Sequence, residues 1–272
     1  MKPFVKWAGG KGQILGELLA RVPERYGGYY EPFVGGGALF FALNPERAVL
    51  NDRNEELINA YSVIRSKVSD LAGALAAHAS QHRLHGRDYY YRVRDLNPDT
   101  LSDVERASRF IYLNKTCYNG LWRVNNEGRF NVPFGRHKNP RILDEENLRA
   151  VSDSLRHVTL LCTDFESSLG AAQPGDFVYF DPPYHPLSET SYFTKYVDNG
   201  FGPEDQIRLA AVFRSLAGRG VNVMLSNSDT KFVQNLYPRD EFEVEIIQAK
   251  RPISCRAEGR GVVNELVIRN YS

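Results

Sequence analysis

Apolar runs of about three to six residues, each closed by glycine, proline or a polar turn, alternate with amphipathic stretches along most of the chain. The runs at residues 29–33, 48–50, 158–162, 177–180 and 221–226 are predicted as buried strands. Amphipathic spacing predicts helices at residues 14–19, 38–43, 144–155, 203–219 and 229–236. Residues 242–247 and 262–269 predict a closing antiparallel pair. This order predicts an α/β fold built on one sheet.

A helical insertion interrupts this alternation. Residues 55–68 and 71–79 have helical periodicity, and residues 100–103 resemble a capping box ahead of an apolar face at Val104, Ala107 and Ile111. Residues from about 60 to 114 are therefore predicted as helices placed between the second strand and the point where the sheet resumes.

A glycine turn follows the first predicted strand. Val34-Gly35-Gly36-Gly37 joins that strand to a helix, and the next strand ends in Asn51-Asp52. Strand, glycine loop and helix, followed by an acid at the end of the next strand, are typical of a nucleotide-binding unit in which the acid bonds ribose hydroxyls. The alternative for Asp52 is a helix-capping role.

Asp181-Pro182-Pro183-Tyr184 comes directly after the predicted strand at 177–180. Open α/β sheets bind ligands beyond the carboxyl ends of their strands. The two prolines end the strand and supply no N–H groups, so neighbouring carbonyls are available as acceptors. Carboxylate, carbonyl and aromatic ring together suit a flat group that carries an NH2. A simple Asp-Pro turn with a buried Tyr is the alternative interpretation.

The segment at residues 115–141 is unusually basic. It carries six Lys or Arg residues and one acid, Glu127, which gives +5, and four large aromatic residues lie between these charges. Asn126-Glu127-Gly128 predicts the turn of a hairpin. Arg and Asn can contact guanine and adenine edges, and further cations bind phosphate, so the segment is predicted to enter a DNA groove. A solvated basic loop is the alternative.

Composition sets the class of protein. The chain has 272 residues, 42% of them hydrophobic, and a formal net charge of +1. No apolar run is long enough to span a bilayer and the N-terminus does not resemble a signal peptide. Cys117, Cys162 and Cys255 are widely spaced, which predicts reduced thiols and no metal site. A cytoplasmic protein is expected.

Six motifs in order resemble the Dam-type DNA adenine-N6 methyltransferases, the alpha group of the D12 class. They are Lys6-Trp7-Ala8-Gly9-Gly10-Lys11, Glu31-Pro32-Phe33-Val34-Gly35-Gly36-Gly37, Asn51-Asp52, Tyr118-Asn119-Gly120-Leu121-Trp122-Arg123, Phe130-Asn131-Val132-Pro133-Phe134-Gly135-Arg136 and Asp181-Pro182-Pro183-Tyr184. The resemblance spans residues 4–269. It implies a class I S-adenosylmethionine-dependent methyltransferase sheet, Rossmann-like, with a helical and hairpin insert that recognises the target. It also implies S-adenosylmethionine as cofactor and methylation of adenine in double-stranded DNA.

Carried over residue by residue, the resemblance assigns roles to three groups of side chains. The catalytic group is Asp181, Pro182, Pro183 and Tyr184. The cofactor-binding group is Trp7, Ala8, Gly9, Lys11, Glu31, Phe33, Gly35, Asp52, Asp164, Phe165 and Asp181. The DNA-binding group is Lys6, Tyr118, Asn119, Arg123, Asn131, Pro133, Arg136, His137, Lys138, Lys250 and Arg251.

The resemblance further implies a catalytic domain at residues 1–60 and 145–272, a target-recognition domain at 61–144, and GATC as the site. A nucleoid-associated monomer is expected. His137 stands where some relatives carry Tyr, which affects the contact expected at the outer base pair. Three alternatives stay open: a cytosine-N4 DNA methyltransferase, a nicotinamide oxidoreductase and a non-catalytic DNA-binding regulator.

Overall fold

The computed structural model describes residues 1–187, 200–250 and 262–272. Seven strands form one mixed sheet in the order β3-β2-β1-β4-β5-β7-β6. The pairs β1–β2, β1–β4 and β4–β5 are parallel, whereas β7 is antiparallel to both β5 and β6. The strands are β1 (Tyr29–Glu31), β2 (Ala48–Asn51), β3 (Val158–Leu161), β4 (Phe177–Phe180), β5 (Asn222–Ser228), β6 (Glu243–Lys250) and β7 (Val262–Arg269).

The sheet reverses its strand order at β1. Tyr29 of β1 is aligned with Ala48 on one side and with Phe177 of β4 on the other. Doubly wound sheets bind their ligands at such a reversal, beyond the carboxyl ends of the strands. Glu31, the last residue of β1, and Asp181, the first residue after β4, are both at this edge.

The described helices are α1 (Leu15–Leu19), α2 (Ala38–Leu43), α3 (Glu55–Arg94), α4 (Asp103–Thr116), α5 (Glu145–Ser154), α6 (Pro203–Gly218) and α7 (Lys231–Leu236). The two helices predicted at 55–68 and 71–79 belong to the single segment α3, whose backbone leaves the helical region at Lys67 and Gly86. The capping box predicted at residues 100–103 is wrong in position, because Ser102 caps α4 together with Glu105. Within the described ranges, no helix has both the length and the apolar content needed to cross a bilayer.

The chain packs as two units, each with its own interior. The first comprises Met1–Gly10, Gly35–Asn44 and Asp52–Cys162, and the second comprises Lys11–Val34, Pro45–Asn51 and Thr163–Ser272. In the first, Phe110 and Tyr112 of α4 are fully buried, and Tyr112 packs against Tyr90 of α3. In the second, Phe180 and Phe213 belong to the core beside the sheet. The functional division predicted at residues 61–144 stays a prediction.

Candidate active site

Asp181 carries a largely buried charge in the second unit. It follows β4 directly, and its Oδ1 lies 2.6 Å from Nζ of Lys11 in the 3-10 turn Lys11–Gln13. The Lys11 side chain is only 7% exposed and that of Asp181 20% exposed. Because burial removes both charges from water, each depends on the other to offset its desolvation.

Burial raises the pKa of Asp181 above the ordinary value for an aspartate, and the nearby Glu265 charge adds to this effect. The Lys11 ammonium acts in the opposite direction through its charge and its hydrogen bond. Lys11 therefore favours the ionised carboxylate, which is the form that accepts hydrogen bonds from a partner.

Tyr184 is held at two points. Its hydroxyl donates to Oε2 of Glu265 at 2.9 Å, and the Lys11 Nζ lies 4.6 Å from the centroid of its ring. Burial is the main reason that the pKa of Tyr184 is well above its usual value, and the Asp181 and Glu265 charges raise it further. The phenol thus stays protonated and donates, and its ring is fixed beside Asp181.

A chain of amide contacts fixes the backbone of the motif at residues 181–184. Gln206 Nε2 donates to the Pro183 carbonyl at 2.9 Å, and Asn227 Nδ2 donates to Gln206 Oε1 at 3.0 Å. Asn227 Oδ1 in turn accepts the N–H of His185. No such donor reaches the Pro182 carbonyl from the described residues. These contacts hold the motif in place, and of its two proline carbonyls only that of Pro183 accepts a hydrogen bond from the described residues.

Asp164 and Phe165 form a second group after β3. Arg208 clamps Asp164 with Nη1 and Nη2 at 2.8 and 2.9 Å, and its guanidinium lies 4.3 Å from the centroid of the Phe165 ring. Phe33 stacks on Phe165 with centroids 5.3 Å apart, and Phe201 meets Phe33 edge-on. Stacked rings beside an oriented carboxylate suit a purine that carries an amine.

Glu31 is another buried carboxylate, only 3% exposed at the end of β1. The Tyr29 hydroxyl donates to its Oε2 at 2.8 Å, and burial is the first cause that keeps the pKa of Tyr29 well above its ordinary value. Glu31 and Asp181 thus give the second unit two carboxylates at the carboxyl ends of β1 and β4.

In the first unit the glycine turn is built against Trp7. Gly35 has φ of +48°, and a Cβ placed there would lie 2.5 Å from Cδ1 of Trp7, so both the conformation and the close approach require glycine. Asp52 Oδ2 accepts the Gly35 N–H at 3.1 Å and its Oδ1 accepts the Asn54 N–H at 2.9 Å. The residue that caps α3 is Asn54, so Asp52 is not the helix cap.

The basic segment contains a short hairpin. Val124 and Phe130 form an antiparallel bridge, and the Asn125 N–H donates to the Arg129 carbonyl at 2.8 Å across the turn. A second bridge joins Cys117 to Phe134. The predicted turn is therefore present, with isolated bridges in place of regular strands.

Aromatic side chains anchor this hairpin. Trp122 packs between Phe110 of α4 and Phe130, with ring centroids 4.4 and 4.7 Å apart. The ring of Phe134 packs on that of Tyr90 of α3, with centroids 5.4 Å apart. Large aromatics in the segment thus serve packing, and they keep the polar side chains around them in place.

Several predicted DNA-binding side chains remain exposed on that frame. Arg123 is exposed and donates through Nε to Asn131 Oδ1 at 2.7 Å. Tyr118 is 49% exposed, and Asn119 adopts a left-handed conformation beside it. Further exposed members of the predicted set are Pro133, Arg136 and Lys138.

Asn114 binds Lys6 to the same frame. Its side chain accepts the Lys6 N–H at 2.8 Å and donates to the carbonyls of Lys6 and Gly120. His137 differs, because its Nε2 is engaged by the Cys117 carbonyl at 3.0 Å. A structural role is therefore observed for His137, whereas its predicted DNA contact stays a prediction.

Lys250 ends β6 and only its backbone is described, and Arg251 lies outside the described residues. Cys117 and Cys162 are free thiols, and Cys255 also lies outside the described residues. Across the described ranges, no group of three His, Cys, Asp or Glu side chains could hold a metal ion.

Sequence reasoning missed four residues that organise these sites: Asn114, Gln206, Arg208 and Glu265. Only Glu265 left a signal, as a charge inside a predicted strand that is mostly apolar. The other three act through contacts between segments far apart in the chain.

The family model for D12 class N6 adenine-specific DNA methyltransferases matches residues 7–253. The chain belongs to this family. It is 44% identical to the type II methyltransferase M1.LlaDCHI of Lactococcus lactis subsp. cremoris, over all of this chain and 96% of that protein. It is also 44% identical to M.MjaIII of Methanocaldococcus jannaschii, over all of this chain and 99% of that protein. The DNA adenine methylase of Escherichia coli K12 is 34% identical over 98% of this chain and 94% of that protein.

Membership of the D12 class establishes that the chain is an adenine-N6 DNA methyltransferase. DNA is its substrate and S-adenosylmethionine is its methyl donor, and the mixed seven-stranded sheet is that of a class I methyltransferase. The chemistry of the second unit fits this cofactor, because aromatic faces and buried carboxylates suit an adenine and a cationic sulfonium.

Proposed function

We propose that this enzyme methylates N6 of the adenine in GATC after flipping that base out of duplex DNA. The observation that carries the catalytic assignment is the buried pair of Lys11 and Asp181 beside the Tyr184 ring, at the carboxyl end of β4. An ionised acceptor and a flat aromatic face are what an exocyclic purine amine needs.

The N6 lone pair is delocalised into the purine ring, which makes the amine a weak nucleophile. In the proposal, the Asp181 carboxylate and the Pro182 carbonyl each accept a hydrogen bond from one N–H of the amine. These two hydrogen bonds draw the nitrogen toward tetrahedral geometry. The Pro183 carbonyl is occupied by Gln206, whereas no donor from the described residues reaches that of Pro182. Positioning and fixed charge then lower the barrier without a covalent enzyme intermediate.

S-adenosylmethionine supplies an electrophilic methyl group on its sulfonium. We assign Phe33, Phe165 and Asp164 to the cofactor adenine, since Arg208 orients that carboxylate beside the stacked rings. Glu31 and Asp181 are assigned to the charged part of the cofactor. In the first unit, Trp7, Ala8, Gly9, Gly35 and Asp52 stay predicted contacts, with the ribose hydroxyls assigned to Asp52.

Base flipping is proposed because the target amine is stacked inside the duplex and methyltransferases act on extruded bases. Tyr184 would stack on the flipped adenine. Its ring already has a fixed orientation through its hydroxyl, which favours this role. Since the substrate is DNA, the proposal also places the enzyme at the nucleoid.

For recognition we propose that Arg123 reads a guanine. Its Nε is bound by Asn131, so the guanidinium is oriented while its Nη groups remain available for a bidentate contact. Lys6, Tyr118, Asn119 and Pro133 are proposed as further base contacts, whereas Arg136 and Lys138 suit phosphates.

Tritiated methyl transfer to duplexes that contain GATC, single-base variants of it, or no match tests the proposal. Incorporation as N6-methyladenine in GATC alone supports it. Transfer spread evenly over the variants would contradict the site, and product found as N4-methylcytosine would contradict the target base.

A further inference from the structure

Glu265 lies on β7, the strand between β5 and β6, opposite Ser228 and Ile247. No motif of the sequence marks it. Because β7 is antiparallel to β5, this position lies beside the carboxyl end of β5, at the same edge as Asp181. It follows the exposed Asn264 and precedes Leu266, Val267 and Ile268, which are apolar and fully buried. A carboxylate at this place is costly unless it has a partner.

That partner is Tyr184, whose hydroxyl donates to Oε2 of Glu265 at 2.9 Å. The Tyr184 side chain can rotate about χ1 and χ2, and a charge-assisted hydrogen bond to its hydroxyl removes much of that freedom. The Lys11 ammonium, 4.6 Å from the ring centroid, gives the second contact. Glu265 therefore fixes the hydroxyl of Tyr184, and Lys11, which is paired with Asp181, contacts the face of its ring.

We propose that Glu265 is a positioning residue that holds the Tyr184 ring ready to stack on the target adenine. The inference rests on the proposed function of Tyr184. It adds a residue from the closing antiparallel strand to a motif that otherwise lies on one loop. It also predicts that the benefit of Glu265 passes through the Tyr184 hydroxyl.

The test is a double-mutant cycle of Glu265→Ala and Tyr184→Phe in the full-length enzyme. Removing one charge-assisted hydrogen bond should lower kcat by about fivefold to tenfold in each single variant, with the KM for S-adenosylmethionine unchanged. Glu265→Gln keeps an acceptor for the phenol and should restore most of the loss. In the Tyr184→Phe background, Glu265→Ala should have no further effect.

A second readout follows the base. Duplexes with 2-aminopurine at the target adenine report extrusion and stacking through their fluorescence, and we expect Glu265→Ala and Tyr184→Phe to change the bound signal alike. Asn264→Ala, an exposed neighbour on β7, is the control for disturbance of the strand. Thermal melting shows whether each variant folds.

Equal losses from Glu265→Ala in both backgrounds would overturn the proposal, because Glu265 would then act independently of the phenol. Wild-type kcat and signal in Glu265→Ala would overturn it as well. The underlying role of Tyr184 has its own test: Tyr184→Ala with normal turnover would reject that role whatever Glu265 does.

Discussion

The catalytic motif and the basic hairpin use charge in opposite ways. Asp181 is paired at 2.6 Å with a Lys11 side chain that is almost fully buried. Arg123 and Arg129 of the hairpin are exposed, and only one of the donor groups of Arg123 is bound to Asn131. Charge is enclosed and paired in the first case, and presented to a partner in the second.

This difference fits the roles proposed for the two regions. Chemistry needs an acceptor whose position and ionisation are fixed before the substrate arrives, and burial with a matched cation provides this. Recognition needs cations that exchange water for phosphate and base edges, so they must stay in solvent. The hairpin obtains its rigidity from Trp122 and Phe130, which are aromatic, and leaves its charges outside.

The largest expected effect separates chemistry from binding. Asp181→Ala should lower turnover by about 10³-fold or more, because it removes the charged acceptor for the amine. Affinity for DNA should stay close to that of the wild type, since the exposed cations are unchanged. Methyl transfer and fluorescence anisotropy with the same duplex measure the two quantities. A variant with near-normal turnover would contradict the role of Asp181, and Asp181→Asn controls for the lost volume.

The second prediction removes the anchor of the hairpin. Phe130 is 5% exposed, and Phe130→Ala should lower the free energy of unfolding by about 3 kcal/mol through lost burial and the cavity it leaves. Val124→Ala, on the exposed bridge partner, should change it by less than about 0.5 kcal/mol. Chemical denaturation measures both. Similar values for the two variants would mean that the hairpin is not held by its aromatics.

The third prediction concerns discrimination. Arg123→Ala should weaken discrimination at one base pair by about 1–3 kcal/mol, because a bidentate guanine contact is lost. Arg129→Ala is the matched control: Arg129 is also exposed and on the hairpin, and should weaken binding to all sequences alike. Competition with single-base variants of GATC measures this. Uniform weakening by Arg123→Ala would reassign that side chain to a phosphate.

Local signals predicted much of this structure. Phe177–Phe180 and Ala38–Leu43 end where their apolar runs end, and a proline or glycine within two residues of each end fixes those limits. The acid at Asp52 and the glycine turn were both identified, and the structure joins them through the Gly35 N–H. Patterns that one segment carries by itself can be read without its neighbours.

The missed residues depend on distant partners. Gln206 reaches Pro183 across 23 positions of the chain, and Glu265 reaches Tyr184 across 81. Nothing local distinguishes a Gln on a helix that fixes a backbone carbonyl from one that faces water. The pairing of Lys11 with Asp181 has no local signal for the same reason, although each residue belongs to a predicted motif of its own.

The smallest expected effect is a difference in pH dependence between the two regions. Burial raises the pKa of Asp181, and the groups facing it are Lys11, Glu265, Tyr184 and Tyr179. Since the ionised carboxylate is the active form in the proposed mechanism, kcat should fall as the pH drops through that pKa, at a higher pH than an ordinary aspartate gives.

DNA affinity should stay level over the same interval. Arg and Lys remain charged there, and burial lowers the pKa of His78, whose ring stacks on Tyr112 of α4, to about 4. The free energy of unfolding also depends on the pKa of Asp181. A carboxyl whose pKa is raised in the folded state stabilises the fold fully below its unfolded pKa, and this contribution is lost as the pH rises through the folded pKa. Measuring kcat and DNA affinity on one pH series makes the comparison. If both fell together, the acid limb would report loss of the DNA-binding surface instead of protonation of Asp181.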